Sequence, residues 1–135
     1  LSARNRKVTI ETNGTIPPDG IACDLASLSP KLRNSDHGGP SVSPCPPAVA
    51  RQWLAHCPCQ FKFVIQEERD LGDVREFLGE LGRSIAPEHV FLMPEGRRPE
   101  EIAARTEMLV RLCLETGFRY GRRLQLDLFG DTRGT

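Results

Sequence analysis

Three polar segments of this chain carry side chains suited to ligand binding, and each comes at the end of a short apolar run. The first consists of Glu11, Thr12 and Asn13, which follow the β-branched stretch 8–10 and precede the turn-forming Gly14. Its carboxylate, hydroxyl and carboxamide can hydrogen-bond ribose hydroxyls or the N–H edge of a heterocycle. The alternative is an ordinary strand end followed by an Asn-Gly turn.

The second segment consists of Ser29, Pro30 and Lys31. A hydroxyl beside a compact ammonium group suits a ligand that has both a ribose and a carboxylate. Pro30 cannot donate to a β-ladder, so it marks the end of the preceding strand. The alternative is that Lys31 is a solvated lysine after that strand.

The third segment consists of Met93, Pro94, Glu95 and Gly96. The methionine thioether is polarisable and can pack against an aromatic base. The alternative is a plain turn between a strand and a helix, in which Glu95 favours the positive N-terminus of that helix. The residue types alone leave both interpretations open.

Cysteine usage indicates a reducing compartment and raises one metal hypothesis. The five cysteines are an odd number without regular spacing, which disfavours a disulfide framework, and we interpret Cys23 and Cys113 as small buried residues. Thiols and imidazole are zinc ligands, although a C-x-C pair lacks the usual finger spacing. The side chains that would form such a zinc site are Cys45, His56, Cys57 and Cys59.

Length and charge limit the class of protein. The 135 residues suffice for one domain with one core, and 18 basic side chains balance 18 acidic ones. A balanced charge gives no argument for binding nucleic acid or a membrane surface, and no apolar run approaches the roughly 20 residues of a membrane span. Because no signal-peptide pattern is present, we expect a cytoplasmic protein. Because the first residue is Leu1 rather than methionine, we also expect this chain to be part of a longer one.

The pattern along the chain predicts alternating strands and helices. Short apolar runs predict strands, periodic apolar positions predict helices, and the Gly-, Pro- and Ser-rich stretch 32–47 predicts a long loop. Such alternation is typical of an α/β fold with a mostly parallel sheet, in which the polar strand ends gather at one edge. The predicted strands are 7–11, 21–29, 61–65 (the central one), 89–93 and 123–130, and the predicted helices are 46–57, 69–84 and 98–117.

Apolar residues at helical spacing predict which helix faces are buried. Val49 and Trp53 lie four residues apart and share one face of the first helix, and Gly117 is a natural stop for the last. The predicted buried sets are Leu71, Val74, Phe77, Leu78 and Leu81 in the second helix and Ile102, Leu109, Val110 and Cys113 in the third.

Five segments taken in order form a recognisable set, namely "ETNGT" (Glu11–Thr15), "SPK" (Ser29–Lys31), "FKFVI" (Phe61–Ile65), "FLMPEG" (Phe91–Gly96) and "GFRYGRRLQLDLFGDTRG" (Gly117–Gly134). This set resembles the C-terminal portion of the 7-carboxy-7-deazaguanine synthases, which are radical S-adenosylmethionine (SAM) enzymes. The resemblance covers nearly the whole chain apart from 32–60. It implies that residues 1–135 form the C-terminal part of a partial (β/α) radical SAM barrel, with a loop-rich insertion at about 32–60.

The resemblance implies a lyase of queuosine and deazapurine biosynthesis, which converts 6-carboxy-5,6,7,8-tetrahydropterin to 7-carboxy-7-deazaguanine with loss of ammonia. The implied cofactors are SAM, a [4Fe-4S] cluster and Mg²⁺. The implied partners are the pterin, an electron-donor protein such as flavodoxin and a second copy in a homodimer, with no nucleic acid and no membrane. The implied contacts are to SAM at Ser29, Pro30, Lys31, Met93, Pro94, Glu95 and Gly96, to SAM or substrate at Glu11, Thr12 and Asn13, and to substrate at Gln125.

The chain departs from the family pattern in its cysteines. The family holds its cluster with three cysteines, of which the last two are separated by two residues, but here C-x-x-C occurs nowhere and Cys57 and Cys59 form C-x-C. We therefore expect the cluster ligands before residue 1, no metal ligand in this chain, and no activity from this chain alone. Two other functions remain open, namely another radical SAM enzyme such as a glycyl-radical activase, and a non-catalytic nucleotide-binding domain.

Overall fold

A five-stranded sheet organises the protein, of which the structure, a computed structural model, describes residues 6–33 and 44–122. The strands are β1 (Thr9–Thr12), β2 (Leu25–Leu28), β3 (Cys59–Ile65), β4 (Val90–Pro94) and β5 (Arg119–Tyr120), and the helices are α1 (Pro47–His56), α2 (Asp70–Gly79) and α3 (Pro99–Thr116). All neighbouring strands pair in parallel, in the order β1-β2-β3-β4-β5. The predicted α/β class, the parallel sheet and its central strand are therefore confirmed.

The three helices cover one face of the sheet. Each strand pairs with the one before it in the chain, and right-handed crossovers then place every connecting helix on the same side. β3 shows the consequence, because its side chains alternate between buried and half-buried. Phe61, Phe63 and Ile65 are fully buried in the core, whereas Gln60 and Lys62 lie on the opposite face.

An aromatic cluster fills the space between the sheet and α2. The ring of Phe77 lies edge-on to Phe61 and Phe63, with centroid distances of 6.0 and 5.8 Å. Burial of one such side chain contributes about 1.5–3 kcal/mol, and an edge-on pair adds about 0.5–1.5 kcal/mol. The predicted apolar stripe of α2 is confirmed, since Val74 and Leu81 are buried and Leu71, Phe77 and Leu78 pack against the core.

The helix α2 is shorter than the predicted helix 69–84. It begins at Asp70, whose Oδ2 accepts hydrogen bonds from the backbone N–H groups of Gln66 (2.8 Å) and Glu67 (2.9 Å). These bonds join the end of β3 to the start of the helix. The helix ends at Gly79 because glycine is a poor helix former, and Gly82 then turns the chain with a φ of 75°.

The helix α3 has the predicted start and stop. Near its N-terminus, Glu101 Oε2 accepts hydrogen bonds from the N–H groups of Arg97 (2.8 Å) and Arg98 (3.4 Å). These backbone donors stabilise the carboxylate and lower the pKa of Glu101. Gly117 follows the helix with a φ of 81°, the left-handed conformation in which helices commonly stop.

The prediction that Val110 lies on the buried side of α3 is wrong. Val110 is 42% exposed, and Leu112, which was not predicted, is 1% exposed. Helical positions rotate by about 100° per residue, so Leu112 returns close to the face of the buried Leu109 while Val110 turns away from it. Ile102 is half-buried, and Cys113 packs against the core as predicted.

The helix α1 fixes the connection between β1 and β2. The indole N–H of Trp53 donates a hydrogen bond to the carbonyl oxygen of Ile16 at 2.9 Å, while the ring is buried in the core. Val49 packs against the same core, so the shared face predicted for these two residues is confirmed. The position of the turn after β1 thus depends on a residue that lies far along the chain.

Two strands differ from their predictions. β2 covers only the end of the predicted strand 21–29. β5 was not predicted, because Gly117 and Gly121 flank a strand of two residues that is too short to alternate visibly. The predicted strand 123–130 lies outside the described residues. Within the part of the chain that is described, no helix has the length and apolar character needed to cross a membrane.

Candidate functional site

Polar side chains occupy the face of the sheet opposite the helices, and we call this group of Glu11, Ser27, Gln60 and Lys62 the open face. The register places Glu11, Ser27 and Gln60 side by side on β1, β2 and β3. Lys62 follows on β3, level with Phe91 of β4. Strands of a parallel sheet usually carry apolar residues on both faces because both faces are covered. The polar open face is therefore a candidate ligand-binding surface.

Opposite charges meet on the open face. Lys62 Nζ lies 3.3 Å from Glu11 Oε1, with side chains that are 28% and 61% exposed. An ion pair at this exposure contributes at most about 1 kcal/mol to stability, so its main effect is to place one positive and one negative group side by side. Lys62 was not among the predicted site residues, although a lysine between two phenylalanines in a strand is a sequence signal for a polar face.

A part-buried hydrogen bond joins β2 and β3 on the same face. Gln60 Nε2 donates to the hydroxyl of Ser27 at 3.1 Å, and Ser27 is completely buried. A buried hydroxyl needs such a partner, and the bond holds the carboxamide of Gln60 against β2, the strand between Gln60 and Glu11. No local pattern singles out Ser27, which lies within an apolar run.

The first predicted segment forms a tight turn at the end of β1. Thr12 Oγ1 accepts a hydrogen bond from the N–H of Gly14 (3.1 Å), and Asn13 Oδ1 accepts from the N–H (3.1 Å) and the hydroxyl (2.8 Å) of Thr15. The hydroxyl and the carboxamide oxygen thus build the turn. The carboxylate of Glu11 lies on the open face.

Gly14 occupies a position where no side chain fits. Its φ of 76° is left-handed, and a Cβ atom there would lie 2.5 Å from Cys45 Sγ. The thiol of Cys45 donates a hydrogen bond to the carbonyl oxygen of Gly14 at 3.2 Å. Burial raises the pKa of this thiol to about 11, so Cys45 is a neutral packing residue that anchors the turn.

The second predicted segment contacts the first. The N–H of Ser29 donates to the carbonyl oxygen of Thr12 at 2.8 Å, Pro30 is buried, and Lys31 is exposed. Lys31 lines a cavity of about 340 Å³ on the helix-covered side of the sheet, between the end of β2, the start of α1 and the second half of α2, which contributes Phe77. This volume lies within the range of about 300–1,000 Å³ that is typical of small-molecule pockets.

The third predicted segment lies at the end of β4. Met93 is half-buried and packs over β5, where a Cβ atom on Gly121 would lie 2.9 Å from Met93 Cγ. Pro94 and Gly96 are buried. A Cβ atom on Gly96 would lie 3.0 Å from Cβ of Glu101, so the turn packs closely against the start of α3.

Arg105 of α3 ties the end of β4 to the end of β3. Its Nε donates to the carbonyl oxygen of Gln66 and its Nη1 to that of Glu95, both at 3.0 Å. Nη1 also lies 3.5 Å from the carboxylate of Glu95, and the Arg105 side chain is 25% exposed. Sequence reasoning missed this residue, because an arginine four positions after Glu101 is typical of an exposed i,i+4 helix pair.

The predicted site residues form two groups on one edge of the sheet. The first and second segments are in direct contact, whereas the third lies two strands away from the second, across the end of β3. Strands in a sheet are about 4.8 Å apart, so these groups are separated by roughly 10 Å. Gln125 lies outside the described residues.

Three curated proteins named 7-carboxy-7-deazaguanine synthase are similar to this chain. The one from Rhodopirellula baltica is 35% identical over 147 residues, covering 100% of this chain and 55% of the relative. Those from Halobacterium salinarum and Pyrobaculum aerophilum are 33% and 32% identical over 156 and 130 residues, covering 100% and 94% of this chain and 59% and 54% of the relatives. The resemblance to the 7-carboxy-7-deazaguanine synthases is confirmed.

The chain spans about half the length of these synthases, and it corresponds to their C-terminal portion. No protein-family model and no solved structure matches it. The similarity to the synthases extends across the strand ends that carry the three polar segments.

The four candidate zinc ligands of this chain do not converge on one point. Cys45 lies against Gly14, Cys57 lies beside Cys23, and His56 contacts a backbone carbonyl oxygen. Among residues 6–33 and 44–122, no group of three or more His, Cys, Asp or Glu side chains is arranged to hold a metal ion. The zinc hypothesis is therefore wrong for these residues.

Proposed function

We propose that this chain forms part of a radical SAM lyase that converts 6-carboxy-5,6,7,8-tetrahydropterin to 7-carboxy-7-deazaguanine in queuosine and deazapurine biosynthesis. The observation that carries the proposal is the similarity of the whole chain to three proteins with that synthase name. The fold supports it, because a parallel α/β sheet with a polar open face suits a partial barrel that binds ligands inside and at its carboxyl edge. The proposed partners are the pterin, a flavodoxin-like electron donor and a second copy of the protein, and the proposed location is the cytoplasm.

The residues at the carboxyl edge fit SAM. The ammonium group of Lys31 suits the carboxylate of the methionyl group, and Lys31 is exposed at the carboxyl edge of the sheet. When bound, SAM supplies the radical that removes a hydrogen atom from the substrate. The chain's part in this proposal is to bind and orient SAM and the pterin.

The residues of this chain do not fit the iron–sulfur cluster. A [4Fe-4S] cluster needs cysteine thiolates that converge on it, whereas no three of the described cysteines are arranged to hold a metal ion, and burial raises the pKa of Cys45 and Cys59 to about 11. We assign the cluster ligands to residues outside this sequence, and this chain alone is then inactive. No described residue is assigned to Mg²⁺.

The open face is suited to orient the pterin. The carboxylate of Glu11 accepts hydrogen bonds from the amino group and N–H edge of a pterin ring. The ammonium group of Lys62, held beside it at 3.3 Å, attracts the carboxylate of the substrate. Gln60, held by its hydrogen bond to Ser27, adds a carboxamide to the same face.

Turnover by the full-length protein tests the proposed function. We expect anaerobically reconstituted protein to form 7-carboxy-7-deazaguanine from the carboxytetrahydropterin, and to require SAM, Mg²⁺ and either dithionite or reduced flavodoxin. Mass spectrometry of the product is the measurement. SAM binding without any turnover would instead support a non-catalytic nucleotide-binding domain, and a glycyl radical formed on a partner protein would indicate an activase.

Substitution of Lys31 tests the SAM contact. Lys31→Ala removes a charge-assisted hydrogen bond worth about 1.5–3 kcal/mol, so we expect SAM affinity to fall by roughly tenfold to a hundredfold. Equilibrium binding of SAM to the reconstituted full-length protein is the measurement. The cluster content should be unchanged, because Lys31 is not a cluster ligand.

The matched control is Lys31→Met, which keeps most of the aliphatic stem and loses the charge. If the ammonium group binds SAM, the methionine variant should lose as much affinity as the alanine variant. If only the stem packs against the ligand, Lys31→Met should bind normally. Normal affinity in both variants would show that Lys31 is a solvated lysine.

A further inference from the structure

Two cysteine sulfur atoms are in direct contact at the amino edge of the sheet, opposite the candidate site. Cys23 Sγ lies 3.0 Å from Cys57 Sγ, and both are free thiols. Each cysteine lies two residues before a strand, Cys23 before β2 and Cys57 before β3. Because β2 and β3 are neighbours with Ala26 paired to Cys59, the segments that lead into them run side by side.

We propose that Cys23 and Cys57 form a site of reversible oxidation, at which a low-molecular-weight disulfide converts the two thiols to one disulfide bond. Neighbouring strands are separated by about 4.8 Å, which is within the Cα separation of roughly 4.4–6.8 Å that a disulfide spans. The sulfur atoms need to approach by only about 1 Å to reach a bond length near 2.05 Å. This inference does not depend on the proposed function.

The reaction proceeds in two exchange steps. The half-buried Cys23 is the more accessible of the two, so its thiolate attacks the small disulfide, forms a mixed disulfide and releases one small thiol. Cys57 then attacks the Cys23 sulfur, loses its proton and releases the second small thiol. The two protein thiols are oxidised by two electrons, and the small disulfide is reduced to two thiols.

The second step depends on the buried Cys57. Cys57 is 9% exposed, and burial together with the adjacent Cys23 thiol raises its pKa. Only a small fraction of Cys57 is therefore thiolate at neutral pH, but its sulfur already lies against the one that it attacks. Direct contact favours this closure over attack by a thiol from solution.

The other buried thiols nearby have no sulfur contact as short as that between Cys23 and Cys57, although Cys59 interacts with the Cys57 side chain. Cys59 Sγ donates to the carbonyl oxygen of Cys57 at 3.3 Å, and Cys45 Sγ donates to that of Gly14 at 3.2 Å. The geometry therefore selects the pair Cys23–Cys57, even though Cys57 and Cys59 are closer in sequence.

Differential alkylation of the full-length protein tests the proposal. The protein is incubated with millimolar oxidised glutathione, its free thiols are blocked with iodoacetamide, and thiols released by reduction are labelled with N-ethylmaleimide. We expect the second label on Cys23 and Cys57 to equal extents, and one cross-linked peptide that contains both cysteines before reduction. Dithiothreitol should restore the free thiols fully.

The control variants separate this pair from its neighbour. Cys59→Ser should form the same disulfide as the unsubstituted protein. In Cys23→Ser, Cys57 should remain a free thiol. A persistent glutathione adduct on Cys23, a Cys57–Cys59 bond, or thiols that remain reduced would each overturn the proposal.

Discussion

Replacing Arg105 with alanine is expected to lower the free energy of unfolding by about 3 kcal/mol, since charge-assisted hydrogen bonds contribute roughly 1.5–3 kcal/mol each and Arg105 makes two short ones, at 3.0 Å, to the carbonyl oxygens of Gln66 and Glu95. In this variant the ends of β3 and β4 lose the guanidinium group that donates hydrogen bonds to both of them. If the third polar segment binds SAM, SAM affinity should also fall at least roughly tenfold, because the turn is no longer held in place. Urea denaturation and equilibrium SAM binding are the measurements.

Arg111 provides a matched control on the same helix. It pairs with Glu68 at 2.9 Å and Glu115 at 3.4 Å, and all three side chains are half-exposed or more. Arg111 binds Glu68 through both of its terminal nitrogens, but exposed pairs contribute at most about 1 kcal/mol, so Arg111→Ala should cost clearly less stability than Arg105→Ala and leave SAM affinity unchanged. Arg105→Lys should give an intermediate loss, since lysine keeps the charge but lacks the guanidinium fork.

The two measurements on Arg105→Ala answer different questions. Equal loss of stability in the Arg105 and Arg111 variants would contradict the structural role of Arg105. A destabilised Arg105→Ala variant with normal SAM affinity would remove the end of β4 from the SAM site and leave its structural role intact.

Gly14→Ala is expected to destabilise the protein by about 3 kcal/mol. Left-handed backbone costs a residue with a Cβ atom roughly 1–2 kcal/mol, and overpacking against a buried neighbour costs about 1–3 kcal/mol. The new methyl group would lie 2.5 Å from Cys45 Sγ, in a turn that also carries Thr12 and Asn13. The midpoint of urea denaturation measures the change.

Gly20 is the matched control for this substitution. Its φ of 80° is nearly the same, but nothing lies within 4 Å of the position of a Cβ atom. Gly20→Ala should therefore cost only the backbone strain of roughly 1–2 kcal/mol. The double variant Gly14→Ala with Cys45→Ala should recover part of the loss, because the nearest contact is gone. Equal costs at Gly14 and Gly20 would disprove the steric explanation.

The fold class was predictable because the signals that define it are local. Strand and helix periods are read within a few residues, and parallel order follows from their alternation. The wrong prediction for Val110 also comes from reliance on local signals. The run "MLVRLCL" (108–114) has apolar residues on more than one side of a helix, so periodicity alone did not choose between Val110 and Leu112. Packing of α3 against the sheet buries Leu112 rather than Val110.

The candidate site was predictable only at the strand ends. Parallel strands carry their carboxyl ends to one edge, so the three polar segments were expected to share it. The partners of Lys62 and Arg105 were not predictable, because Glu11 lies 51 residues from Lys62 and Gln66 lies 39 residues from Arg105. No local pattern specifies such distant pairs. The contact between Cys23 and Cys57, 34 residues apart, escaped prediction for the same reason.

The order of strands across the sheet equals their order in the chain, and this has a consequence for synthesis on the ribosome. Among the five described strands, each one from β2 onward pairs with the strand synthesised before it, so none of these pairings requires a later strand to be inserted between two earlier ones. The longest interval comes between β2 and β3, from Leu28 to Cys59. Exposed strand edges are sites of aggregation. The edge of β2 stays unpaired over this interval, so it is the edge that a chaperone is most needed to protect during synthesis.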